Sequence, residues 1–177
     1  MKCQTTAATF AFALLAALAS PAQAQAVQLH GAAIGGLERT DSAPGSGAED
    51  GFYYGVQVGA EWDLGTIRAG VELELGDSTA RATNGGNTAN QSLFGNAAVR
   101  VALPVSGGAR VFARGGYAYH KIDYAVGPAF EGHGYVVGGG AEIDLGPDLF
   151  VRGEYRFSDY GQSVRGQHFV GGLGIRF

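Results

Sequence analysis

From Phe52 to Gly76, apolar and polar side chains alternate almost without interruption, in two runs separated only by a turn of two or three residues. In the first run Phe52, Tyr54, Val56, Val58, Ala60, Trp62 and Leu64 share one face, and Tyr53, Gly55, Gln57, Gly59, Glu61 and Asp63 the other. In the second, Ile67, Ala69, Val71, Leu73 and Leu75 oppose Arg68, Gly70, Glu72, Glu74 and Gly76. Strand side chains have period two, so each run predicts a strand with one apolar and one charged face. Strands of this kind, closed into a cylinder, set one face against lipid.

The N-terminus is set apart from this pattern. Lys2 gives a positive start, Thr9 to Ala19 is apolar and rich in Ala and Leu, and Ala22-Gln23-Ala24 and Ala24-Gln25-Ala26 both fit a small-residue cleavage site. Residues 1–24 therefore read as a secretory signal peptide, too short to remain as a membrane span, cleaved near Ala24 or Ala26. Residues 25–177 are expected to form one domain with no internal linker. The sole cysteine, Cys3, falls inside the signal, so the exported part is expected to carry neither a disulfide nor a cysteine metal site. A formal charge of −4, with most charge inside apparent strands, argues against a nucleic-acid partner.

The same alternation predicts strands near Val27 to Glu38, Phe52 to Leu64, Thr66 to Gly76, Ser92 to Leu103, Arg110 to Ile122, Gly134 to Leu145, Leu149 to Ser158 and His168 to Phe177. Most are near the roughly nine to eleven residues that a tilted strand needs to cross a bilayer. Thr40 to Gly51, Asp77 to Asn90, Asp123 to His133 and Asp159 to Gln167 read as long polar loops, and Gly65, Pro104 to Ala109 and Gly146 to Asp148 as short turns. Short turns on one rim and long loops on the other fit an all-β, up-and-down transmembrane barrel of about eight antiparallel strands.

Alternation alone does not say which face is wet, because a soluble lipid-binding barrel shows the same pattern inside out. Three features point the charged face inward. Glycines on that face, including Gly55, Gly59, Gly70, Gly116, Gly138, Gly140, Gly172 and Gly174, suit a narrow interior and weaken a solvent-facing strand. The basic strand residues are Arg68, Arg100, Arg110, Arg114, Arg152, Arg156 and Arg176, and arginine's planar fork suits buried pairs. Aromatics on the apolar face gather in two girdles, with Tyr54, Tyr119, Tyr135, Tyr155, Phe157 and Phe169 at the long-loop rim and Trp62 and Phe177 at the other.

Glu61, Asp63, Glu72, Glu74, Glu142, Asp144 and Glu154 nearly cancel the strand arginines. A barrel this narrow holds only its own side chains, so the reading is a lumen filled by an ion-pair network rather than an open pore. A narrow ion path through rearranged pairs is the alternative. No catalytic, metal or cofactor constellation emerges. His30, His120, His133 and His168 are scattered, and His120 and His133, with Asp123 nearby, read as solvated rim residues rather than a lipid-modifying site. Gly171-Gly172-Leu173-Gly174 and Gly138-Gly139-Gly140 mimic phosphate loops only as text, since no helix follows.

The stretch Val151-Arg152-Gly153-Glu154-Tyr155-Arg156-Phe157-Ser158-Asp159-Tyr160-Gly161 resembles the Glu-Tyr-Arg-Tyr-Thr-Asp-Phe/Tyr-Gly sequence in the penultimate strand of the small outer-membrane β-barrel family, the opacity-like and OmpA-like "porin family" surface proteins of Gram-negative bacteria. Phe169, Leu173, Ile175 and the terminal Phe177 look like that family's assembly signal. The resemblance implies residence in outer-membrane lipid after insertion by the barrel-assembly machinery with periplasmic chaperones. The filled interior and the lack of a catalytic constellation point to a monomeric barrel with a structural or surface role, envelope integrity and surface contact, without enzymatic activity. The peptidoglycan-binding domain of full OmpA proteins is not expected here.

Overall fold

The computed structural model describes residues 27–41, 48–79, 81–84, 87–124, 130–160 and 165–177. Among these residues nine antiparallel strands run in chain order: β1 (Val27–Asp41), β2 (Ala48–Asp63), β3 (Arg68–Ser78), β4 (Arg81–Asn84), β5 (Asn87–Pro104), β6 (Ala109–Tyr124), β7 (Phe130–Asp144), β8 (Leu149–Asp159) and β9 (Arg165–Arg176). Hydrogen-bonded neighbours follow the order β3-β2-β1-β9-β8-β7-β6-β5, and β3 pairs with β5 to complete the ring. Eight strands thus close a barrel without a free edge. The seam joins the first strand to the last, with His30 opposite Arg176 and Asp41 opposite Arg165.

The strands outrun their sequence-predicted limits at the loop end. β1 continues to Asp41, β2 begins at Ala48 and β7 at Phe130. The segment read as a loop from Asp77 to Asn90 contains β4, which pairs with the first residues of β5 from Arg81↔Asn90 to Asn84↔Asn87. Backbone pairing defines this hairpin, whose sequence carries no alternation of apolar residues.

At the opposite end the connections are tight. Leu64 N–H bonds Ile67 C=O at 2.9 Å across the β2–β3 turn, where Gly65 has φ +90°. Gly107 and Gly108, with φ +59° and +78°, take the left-handed conformations that the β5–β6 turn requires. Tight turns mark the periplasmic side of such barrels.

Burial alternates most regularly along β8. In β8 Phe150, Arg152, Glu154, Arg156 and Ser158 are buried, and the residues between them face out. The outer wall exposes Val56, Val58, Leu73, Leu75, Val99, Val101 and Leu173. A continuous apolar belt of that kind is a liability in water and a requirement in a bilayer. The exposed outer aromatics include Tyr54, Tyr135, Tyr155, Phe169 and Phe177, whereas Trp62, Tyr119 and Phe157 are half-covered by neighbours. Tyr155 and Phe169 pack with ring centroids 4.9 Å apart.

Candidate functional site

The site is the lumen, and strand parity builds it. On β3, Glu72 and Glu74 are two residues apart and so point to the same side; on β8 so do Arg152, Glu154 and Arg156. β3 and β8 lie four strands apart whichever way the ring is followed, so they are opposite walls. Arg152 Nη1 nevertheless reaches Glu72 Oε1 at 3.1 Å, and Arg156 Nη1 donates to Glu74 Oε1. Two charge-assisted bonds therefore cross the full bore.

Around these clasps the remaining walls contribute further pairs. Arg100 on β5 forms ion pairs with Glu61 at 2.8 Å and Glu142 at 2.9 Å. Arg114 on β6 reaches Glu74 at 3.1 Å, Glu72 at 3.4 Å and Glu154 at 3.7 Å, and donates to Asn96. Glu154 holds Arg152 at 2.8 Å and Arg156 at 2.7 Å. Gln57 on β2 donates to Glu72 at 3.1 Å and accepts from Arg152, tying a neutral side chain into the set. Toward the turn end Arg176 bonds Glu142 at 3.0 Å and Asp144 at 2.5 Å, and Arg110 bonds Asp144 at 2.6 Å. Removing charges from water is costly, and shared partners of this kind are what offset it.

Asp63 and Arg68 stand outside this buried set. They meet each other at 3.4 Å on the turn rim, with more than half of the Asp63 side chain exposed, and Arg68 Nη1 also donates to Gln28 at 2.8 Å. Their position beside the β2–β3 turn places them below the closed part of the bore.

Aromatic rings also line the interior, away from the outer-wall girdles that alternation predicts. The guanidinium of Arg100 lies 4.4 Å from the centroid of the Phe112 ring, and that of Arg152 lies 4.6 Å from it. Arg176 caps Phe150 at 4.0 Å. Cation–π contact of this sort occupies the flat faces of guanidinium groups whose edges point at carboxylates. Parity was the available signal: Phe112 lies between Arg110 and Arg114 at the same two-residue spacing.

The histidines correct the sequence reading more sharply. His120 is not a solvated rim residue; it is 3% exposed and its ring lies 5.1 Å from that of Tyr160. His168 is buried too, 5.7 Å from Tyr53 and 5.8 Å from Phe94. His30 is buried near the turn end, 3.5 Å from Glu72. His133 alone among the four is exposed, packed on the outer wall against Tyr117 at 5.9 Å and Tyr119 at 5.3 Å. Among the described residues no group of three or more His, Cys, Asp or Glu side chains is arranged to hold a metal ion.

A family profile described as "Outer membrane protein beta-barrel domain" matches residues 10–177. The chain belongs to that family. Outer-membrane residence follows from the family, and the apolar wall described above fits it. Solved structures of similar fold include Ail, the attachment invasion locus protein of Yersinia pestis, in complex with sucrose octasulfate, a heparin analogue; it has a TM-score of 0.65 at 10% identity over 85% of this chain and 99% of Ail. Neisserial surface protein A has a TM-score of 0.65 at 14% identity, over 84% of this chain and 97% of its own. The N-terminal β-barrel domain of Pseudomonas aeruginosa OprF has a TM-score of 0.59 at 13% identity, over 85% and 97%. At such identities the likeness is one of fold. Curated protein sequences give no match to this outer-membrane barrel.

Proposed function

We propose that this outer-membrane barrel is a structural, surface-facing component of the envelope whose lumen is closed by its own side chains, and that it acts as a monomer without catalytic activity. The observation that carries this reading is the pair of clasps from β8 to β3, Arg152 to Glu72 and Arg156 to Glu74, which join opposite walls where an aqueous path would run. An eight-stranded barrel has an interior about as wide as its packed side chains, so bonds across the bore leave no continuous water column. The loop end faces outward under this reading and is available for contact with other cells or host surfaces. Removal of residues 1–24 on export, and insertion by the barrel-assembly machinery with periplasmic chaperones, complete the proposal.

The test is single-channel recording of the mature protein refolded into a planar bilayer, with folding checked on the same sample by the shift in gel mobility on boiling. A quiet membrane with folded protein supports a closed lumen. Reproducible conductance steps would replace this reading with a narrow channel for ions or small solutes.

A further inference from the structure

Six carboxylates, Glu61, Glu72, Glu74, Glu142, Asp144 and Glu154, pair with the six closely packed lumen arginines, Arg100, Arg110, Arg114, Arg152, Arg156 and Arg176, and each of these residues has a partner within the set. Glu38 is surplus. It is 6% exposed, its Oε1 accepts a hydrogen bond from Thr40 Oγ1 at 2.9 Å, and its Oε2 has no hydrogen-bond partner. Among the described residues no lysine or arginine pairs with it.

Two histidines share its surroundings. His168 on β9 is the direct cross-strand partner of Glu38 on β1. His120 projects from β6, the strand diametrically opposite β1, and its ring packs at 5.1 Å on Tyr160, which packs at 6.0 Å on Phe94, the ring that meets His168. Both ring nitrogens of His120 and Nε2 of His168 lack hydrogen-bond partners. The other polar groups packed here come from every side. Tyr53 of β2 donates to Glu74 of β3 at 2.6 Å, and Arg156 of β8 is held by Glu74 and Glu154. The hydroxyls of Ser158 and Tyr160 are buried here, while β5 presents Phe94, and β7 sets Val136 opposite Ser158.

A buried carboxylate without a countercharge is far costlier than one that shares its site with a proton on a neighbouring imidazole. We propose that Glu38, His120 and His168 form a proton-binding site at the loop end of the lumen. The cluster takes up protons from solvent on acidification. The titration belongs to the cluster rather than to any one ring. Protonation of both rings leaves two imidazolium groups at the end of the lumen that also holds Arg156, and their repulsion acts on the Tyr53, Phe94, Tyr160 and His168 rings that seal this end. Phe94 and His168 stand on opposite walls, β5 and β9, so loosening their 5.8 Å contact opens the bore from the outer side. This device goes beyond the proposed structural role, and it stands on side-chain geometry whether or not the barrel conducts.

The experiment is a histidine ring NMR titration from pH 8 to pH 4 of the mature protein refolded in micelles, with exposed His133 as internal reference. His120 and His168 are expected to titrate as a linked pair, and Glu38→Gln is expected to weaken their proton binding about tenfold or more, leaving His133 unmoved. Rings that follow the His133 curve, or that ignore Glu38→Gln, overturn the site. The seal is read separately, as the temperature at which the folded gel band is lost. It should fall on going from pH 7.5 to pH 5 in the wild type and change less in His120→Phe, which keeps a ring and loses the charge. An equal fall in both proteins overturns the acid opening. Should His120→Phe fail to fold, His168→Phe supplies the same comparison.

Discussion

Arg152 and Glu72 meet at 3.1 Å although β8 and β3 are opposite walls of the barrel. Neither is bound only to the other. Glu72 also meets Arg100 and Arg114 at 3.4 Å, while Arg152 also holds Glu154 at 2.8 Å. Each charge is therefore neutralised several times over, which distinguishes this network from isolated surface pairs that contribute little. The lumen behaves as a core made of ions and rings in place of aliphatic side chains.

Glu72→Ala should destabilise the barrel by about 3–5 kcal/mol, because it leaves the buried network one carboxylate short, with Arg100, Arg114 and Arg152 sharing the remaining partners. Equilibrium unfolding in urea from lipid vesicles measures it. The double variant Glu72→Ala/Arg152→Ala should cost clearly less than the sum of the two single changes, since part of each single cost is the orphaned partner. Strict additivity would show that the two side chains do not act through each other.

Removing both clasps from one wall should open the bore. Arg152→Ser/Arg156→Ser leaves Glu72, Glu74 and Glu154 lining the space, so the folded variant is expected to conduct where the wild type is silent, and to favour cations. Reversal potentials under a salt gradient report the sign. Anion preference, or silence from a folded variant, would mean that side chains other than these two arginines close the path.

Most of the barrel was legible because period two carries the whole argument. Arg110, Phe112 and Arg114 sit on one face of β6 by spacing alone, and the opposite face must then meet lipid. What spacing cannot supply is which inward side chains meet across the bore. That depends on how the ring closes and how far the strands are staggered. Glu38, His120 and His168 are remote in sequence and come from three strands, so nothing in the chain announces them as a cluster. β4 was hidden for a different reason. Its hairpin carries no apolar alternation, although Asn84-Gly85-Gly86-Asn87 is a turn-forming sequence.

Gly174 separates a packing requirement from mere flexibility. A Cβ there would lie 2.3 Å from the Phe150 ring and 2.8 Å from the Gly31 carbonyl oxygen, whereas one at outward-facing Gly153 would meet nothing within 4 Å. Gly174→Ala must displace the ring that Arg176 caps, at an expected cost of about 1–3 kcal/mol. Gly153→Ala should be neutral or stabilising by about 0.5–1 kcal/mol, since it restricts only the unfolded chain. Parallel unfolding curves decide the matter. Equal costs at the two sites would argue that the interior has room to spare beneath Phe150.

The outer wall makes a depth-dependent prediction. Leu73 faces outward, paired with Val58 on one side and Ala97 on the other, midway along β3. Leu103 also faces outward but lies one residue from the end of β5 at the tight-turn rim. Arginine at the first position must sit in hydrocarbon and should cost about 2–4 kcal/mol; at the second it reaches the headgroups and should cost about 0–1 kcal/mol. Unfolding from vesicles of defined thickness measures both. The difference should vanish in a detergent that wets the wall evenly, because the penalty belongs to the bilayer and not to the fold. A penalty that persists unchanged there would instead place the Leu73 side chain against protein, and the charged face would then be the one that meets the surroundings.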